Sequence, residues 1–206
     1  MPRPNSYVSH CTLSVFLLLA CGTHALFRPD TRAQLKGAID SCLTETPDGS
    51  CPTFATVERS EYDDNIKLYG DPLLVAGTMD QWDVSKITDM SNLFYLGAYM
   101  RTNTFNFDIH TWDTSKVTKM DGMFKSCLDF NQNISEFDLS KVTTVVSMFA
   151  AATAFNNDVS KWDVSKVTSF QSMFASATSF NNDVSKWDVS EATTLQYLFS
   201  AATSFN

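Results

Sequence analysis

Hydrophobic and polar positions change their spacing along this chain, and each change marks a segment. Leu13, Val15, Phe16, Leu17, Leu18, Leu19 and Ala20 run nearly together. Leu35, Ala38, Ile39, Cys42 and Leu43 then take the spacing of one helical face. Thr31-Arg32-Ala33-Gln34 before them has the form of a capping box, so the pattern predicts an amphipathic helix over about residues 31–43. Residues 44–72 are polar, with scattered Pro and Gly and the acidic run Glu61-Tyr62-Asp63-Asp64, and read as a connector.

Beyond the connector the pattern becomes periodic. Its copies start at Trp82-Asp83-Val84-Ser85-Lys86, Trp112-Asp113-Thr114-Ser115-Lys116, Phe137-Asp138-Leu139-Ser140-Lys141, Trp162-Asp163-Val164-Ser165-Lys166 and Trp187-Asp188-Val189-Ser190-Glu191. The last four begin 25 residues apart, whereas the first is followed by a 30-residue unit. A period in this range means stacked units, each too small to bury a core alone. In the unit around Trp112, the β-prone positions Ile109, Trp112, Thr114 and Val117 predict a short strand. Met120, Met123, Phe124 and Cys127 follow at i, i+3, i+4, i+7, the stripe of a short helix. Thr118 is placed to cap that helix, as are Thr88, Thr143, Thr168 and Thr193, with Gln171 and Gln196 completing capping boxes in two copies. Phe130-Asn131 closes the unit in a turn, repeated at Phe105-Asn106, Phe155-Asn156, Phe180-Asn181 and Phe205-Asn206.

The expected fold is therefore an α/β repeat solenoid, one short strand plus one short helix per 25-residue coil, with the N-terminal amphipathic helix as its cap. The expected organisation is residues 1–25 as a signal peptide, 26–72 as helical cap and connector, and 73–206 as the solenoid of four complete units and one truncated. The last unit stops 20 residues in, at Phe205-Asn206, without a polar cap. That reads as a fragment, or as an edge for self-association through the uncapped C-terminal coil.

The repeat resembles the BspA-like leucine-rich-repeat surface proteins, and residues 79–206 carry the likeness throughout. The stretch from Lys161-Trp162-Asp163-Val164-Ser165-Lys166-Val167-Thr168 to Phe180-Asn181-Asn182-Asp183-Val184-Ser185 is a close copy of that family's motif. The resemblance implies an LRR-like fold in a secreted or surface-displayed protein used for adhesion or protein interaction. It supplies no catalytic residues to carry over.

Composition narrows the partners. With 44% hydrophobic and 18% charged residues the chain can build one sizeable core. A net charge of -8 and a pI near 4.7 argue against nucleic acid and against adsorption to an anionic membrane. Arg3 is the only Lys or Arg before residue 26, and the apolar run that follows is too short to span a bilayer. With Thr23-His24-Ala25 at a cleavage position, these features point to an exported chain. A rival reading takes Leu18-Leu19-Ala20-Cys21 as a lipoprotein site, with a lipid anchor at Cys21 as the one membrane contact.

Removal of that segment leaves Cys42, Cys51 and Cys127. Cys42 and Cys51 enclose the turn signal Pro47-Asp48-Gly49, so a local disulfide is expected, worth about 2–3 kcal/mol. Two unpaired thiols are the alternative. Cys127 corresponds to Ala152, Ala177 and Ala202 in later units and reads as a small core residue.

Repetition converts single residues into columns. Trp82, Trp112, Phe137, Trp162 and Trp187 are either an exposed sugar-stacking platform or core, and core is favoured because burying each ring gains about 2–3 kcal/mol. Asp83, Asp113, Asp138, Asp163 and Asp188 would repel one another unless turn N–H groups and the adjacent Lys86, Lys116, Lys141 and Lys166 offset the charge. Calcium held between this column and Asp108, Asp158 and Asp183 is the alternative. It is weakened by the break at Asn133 and by the lack of a Gly-rich calcium loop. Asn106, Asn131, Asn156 and Asn181 are expected to bond main-chain groups of the turn and of the next coil.

No catalytic or cofactor motif accompanies these columns, and His110, the single histidine beyond the signal, aligns with Ser135, Ser160 and Ser185. The longer first unit places Tyr95, Tyr99 and Arg101 in an insertion, the candidate interaction loop, although a neutral extension explains it equally well. Asn133-Ile134-Ser135 is the one N-glycosylation sequon. The sequence thus predicts a non-enzymatic, exported scaffold for a protein or glycan ligand. The alternatives are a calcium-stabilised module of a cell coat and a secreted hydrolase built on the repeat.

Overall fold

The computed structural model of the chain describes residues 27–46, 49, 79–97 and 103–206. The expected signal peptide, Cys21, Cys51, most of the connector, Tyr99 and Arg101 lie outside these residues.

Helix α1 spans Arg32–Glu45. Thr31 Oγ1 accepts the Gln34 N–H at 3.3 Å, and Gln34 Oε1 accepts the N–H groups of Thr31 at 3.1 Å and Asp30 at 2.7 Å. These bonds satisfy donors that a helix start leaves orphaned. Leu35, Ala38, Ile39, Cys42 and Leu43 are buried in the same apolar cluster as Met79, Trp82 and Ile87 of the first coil. Polar contacts tie the two together: Arg28 pairs with Asp83, Lys86 with Asp30, and Arg32 Nε donates to Ser91 O at 2.8 Å. The apolar stripe of α1 thus shares its burial with the first coil, since a helix of this length gains little stability alone.

The coils overturn the expected α/β, LRR-like solenoid. Among the described residues α1 is the one α-helix, and the coils hold no sheet and no strand longer than an isolated bridge. Where a strand was expected, the chain turns repeatedly. Trp112 N–H bonds Ile109 O at 3.1 Å, and Val117 N–H bonds Thr114 O at 2.9 Å. Where a helix was expected, consecutive N–H groups alternate between two destinations. Met123, Lys125 and Cys127 donate three residues back within their own coil, at 3.3, 3.0 and 3.1 Å. Met120, Gly122, Phe124 and Ser126 donate instead to Thr144, Val146, Met148 and Ala150 of the next coil, at 2.8–3.1 Å.

Left-handed residues make this path. Gly122 and Ser126 have φ of 60° and 59°, and the pair recurs at Ser147 and Ala151, Ser172 and Ser176, and Tyr197 and Ala201. Each one breaks the helical path, and the N–H groups of Gly122, Ser126, Ser147, Ala151, Ser172 and Ser176 donate to carbonyls of the next coil at 2.7–2.9 Å. Gly122 is special even here, because a Cβ on it would lie 2.4 Å from Asn92 Oδ1.

The threonines expected to cap helices do different work. Thr118, Thr143, Thr168 and Thr193 each donate both their N–H and their Oγ1–H to the carbonyl of the preceding threonine in the column, at 2.7–3.2 Å. Next to them runs a line of parallel bridges, Asp89 to Lys119, Thr144, Ser169 and Thr194 in turn. The coils are therefore joined by main-chain bonds between residues one repeat apart, as in a parallel ladder reduced to its contact points.

Inside the stack are two columns of parallel phenyl rings. Phe94, Phe124, Phe149, Phe174 and Phe199 follow one another at 5.3–5.7 Å between centroids. Phe105, Phe130, Phe155, Phe180 and Phe205 do so at 5.6–6.1 Å. Within each coil the two rings face each other at 3.8–4.0 Å. Gly49 reaches this core with φ +92°, and a Cβ there would meet the Phe105 ring at 2.8 Å.

Candidate interaction surface

The aromatic column lies inside. Trp82, Trp112, Phe137, Trp162 and Trp187 are no more than 9% exposed, which closes their faces to a sugar. Three indoles also span coils: Trp112 Nε1 donates to Met79 O, Trp162 Nε1 to Ile134 O and Trp187 Nε1 to Val159 O, at 2.9–3.1 Å. Phe137 has no such donor.

Each aspartate of the Asp-x-Ser column builds a turn. Asp83, Asp113, Asp138, Asp163 and Asp188 accept the N–H of the serine two residues on, at 2.9–3.1 Å. The hydroxyl and N–H of that serine hold the Asp113, Asp138, Asp163 and Asp188 carboxyls below the usual carboxylate range. At Asp113, Asp138 and Asp163, repulsion from a neighbouring coil's aspartate is the smallest influence. The second column repeats the device: Asp108, Asp158 and Asp183 accept N–H groups from His110, Ser160 and Ser185 at 2.8–3.0 Å. Asn133 does the same for Ser135 at 3.0 Å, so the turn needs an acceptor oxygen and not a charge. Among the described residues, no three His, Cys, Asp or Glu side chains gather as a group able to hold a metal ion.

The Asn column is a ladder. Asn131, Asn156, Asn181 and Asn206 donate their N–H groups to Oδ1 of Asn106, Asn131, Asn156 and Asn181, at 2.9–3.1 Å. A neighbouring amide column, which sequence reasoning passed over, reinforces it. Gln132, Asn157 and Asn182 donate side-chain N–H groups to Oδ1 of Asn106, Asn131 and Asn156, at 2.8–3.1 Å. Its signal was available, because these three amides also recur one repeat apart.

Asn103 was also missed. It is buried beside Cys127, donating from Nδ2 to Phe94 O at 2.6 Å and to Cys127 Sγ at 3.3 Å, where the insertion rejoins the stack. Burial pushes the Cys127 thiol far up, which makes it a poor nucleophile. Cys42 is disulfide-bonded. Its expected partner Cys51 lies outside the described residues.

Of the candidate loop, Tyr95 is half-buried with the Lys125 ammonium 5.1 Å from its ring centroid. The loop residues Tyr99 and Arg101 lie outside the described residues. In the last coil, Val189, Leu195 and Tyr197 are exposed, whereas Val164 and Phe170, the counterparts of the first two, are buried.

This is the architecture of a coil-stacking repeat protein in which the aspartate columns close turns within a coil and the threonine and amide columns hold one coil to the next. Residues 68–162 and 95–206 match the family described as "Mycoplasma protein of unknown function, DUF285". The two matches together span well over half of the chain, and the chain belongs to that family. No curated protein and no solved structure matches it.

Proposed function

We propose that this chain is an exported scaffold that presents a rigid surface to a protein or glycan ligand, without catalysis, in the manner of the BspA-like surface proteins. The observation that carries the reading is the engagement of its polar columns. Aspartate, asparagine and threonine side chains are bonded to turns or to adjacent coils, which favours a fixed shape over a reactive centre. Export is supported by the disulfide at Cys42, since such bonds persist in oxidising compartments. It is supported as well by the apolar run from Leu13 to Ala20.

The binding element we favour is the insertion of the first unit, in which Tyr95 lies beside Lys125 and which also carries Tyr99 and Arg101 in its sequence. It is the place where the repeat departs from its own pattern. The test is binding of the chain to an array of immobilised glycans and extracellular-matrix proteins, repeated with Tyr95→Ala and Arg101→Ala. A specific signal that drops at least about tenfold in either variant, with unchanged melting, is expected for an anchor of this kind. An array that stays blank, or a signal indifferent to both changes, would sink this assignment.

A further inference from the structure

We infer that Asn133 is an acceptor for an N-linked oligosaccharide. This rests on the export reading for its occurrence in the cell, and on local geometry for its chemistry. Asn133-Ile134-Ser135 meets the residue requirement of Asn, any residue but Pro, then Ser or Thr. Geometry adds three observations.

Asn133 is exposed at the outer edge of its coil, where a bulky polar chain can extend into solvent without disturbing the ring columns. Its Oδ1 accepts the Ser135 N–H at 3.0 Å, which fixes the amide plane, and among the described residues Nδ2 has no hydrogen-bond partner. The fold has no need of that nitrogen, because Asp158 and Asp183 make the same turn with a carboxylate. Ile134 between them is buried, and its carbonyl accepts the Trp162 indole N–H at 3.1 Å, so the tripeptide is anchored from beneath. Donation from Ser135 to Oδ1 also draws electron density from the amide, making its nitrogen easier to deprotonate.

The step is a substitution. A bond forms between Asn133 Nδ2 and the anomeric carbon of a lipid-pyrophosphate-linked oligosaccharide, while the bond from that carbon to the phosphate oxygen breaks. The amide nitrogen loses one proton to the transferase, and the lipid pyrophosphate leaves with the electron pair. A glycan here covers the Asp-Ser edge of the stack.

Two measurements decide the matter. Purified oligosaccharyltransferase and a lipid-linked oligosaccharide are incubated with the full chain and with Asn133→Asp, which preserves the turn as Asp158 does. Peptide mass spectrometry is expected to find the sugar on Asn133 in the first and nothing in the second. No transfer to the full chain, while a control acceptor peptide is modified, overturns the proposal. The chain is also expressed in a secreting eukaryotic cell. Recovery from the medium with a glycosidase-sensitive Asn133 supports both the export reading and this one. Recovery in unmodified form overturns this one alone. Retention inside the cell counts against export, and the purified transferase then decides the acceptor.

Discussion

At the scale of single residues, the chain relies on short polar side chains that close turns upon themselves. Asp138 accepts from Ser140 at 2.9 Å, and its carboxyl is held below the ordinary value by that serine's hydroxyl and N–H. A group whose folded pKa is depressed contributes stability above its unfolded value and loses it as the pH falls through the folded value. The same direction holds at Asp113, Asp163 and Asp188, so melting temperature should stay level at neutral pH and drop below about pH 4. Asp138→Asn keeps the acceptor oxygen, as Asn133 does for Ser135. Its melting point at pH 7 should change little, and its acid loss should be smaller than that of the wild type. Melts across a pH series check both. A large loss at pH 7 would mean that the charge itself, and not the turn, is what the fold uses.

At the scale of the coil, each element is defined by what it gives to its neighbour. The indole N–H of a tryptophan donates to a carbonyl in the coil before it, and that carbonyl also receives the N–H that closes its own turn. Val159 O, for example, accepts from Trp162 N at 3.2 Å and from Trp187 Nε1 at 3.0 Å. By the same register an indole at position 137 would reach Ile109 O, which among the described residues accepts the Trp112 N–H alone. Phe137→Trp should add the missing bond and stabilise the chain by about 1 kcal/mol, read from the midpoint of a urea melt. A lower midpoint would mean that this coil is too tight for an indole, overpacking then outweighing the bond.

At the scale of the whole molecule, stability is a sum over coils and the contacts between them. Phe149 lies mid-column, with ring centroids at 3.9 Å to Phe155, 5.4 Å to Phe124 and 5.5 Å to Phe174. Phe199, near the end of the same column, is half-buried. Phe149→Ala should cost about 3–5 kcal/mol, and Phe199→Ala in this same chain about 1–2 kcal/mol. Denaturant melts give the comparison. Equal losses would show that the stack behaves as one cooperative body rather than as nearest neighbours.

Much of this was legible in the residues themselves. The period, the inward stripe of Trp, Met and Phe, and the turn-forming Asp-x-Ser spacing are local properties, each readable from one repeat set beside the next. The backbone path was not. Met120, Met123, Phe124 and Cys127 are all buried, as a helix stripe would be, yet they lie on overlapping turns. Two left-handed residues per coil reproduce the same inward spacing, so periodicity alone cannot separate the two paths. The choice depends on where alternate N–H groups find their carbonyls, and those lie about one repeat further along the chain. Thr118, Thr143 and Thr168 were misassigned as caps for the same reason, their partner being the preceding threonine in the column. Which side chains are inside is a matter of local pattern. How the main chain satisfies its hydrogen bonds is decided only when one coil lies on another.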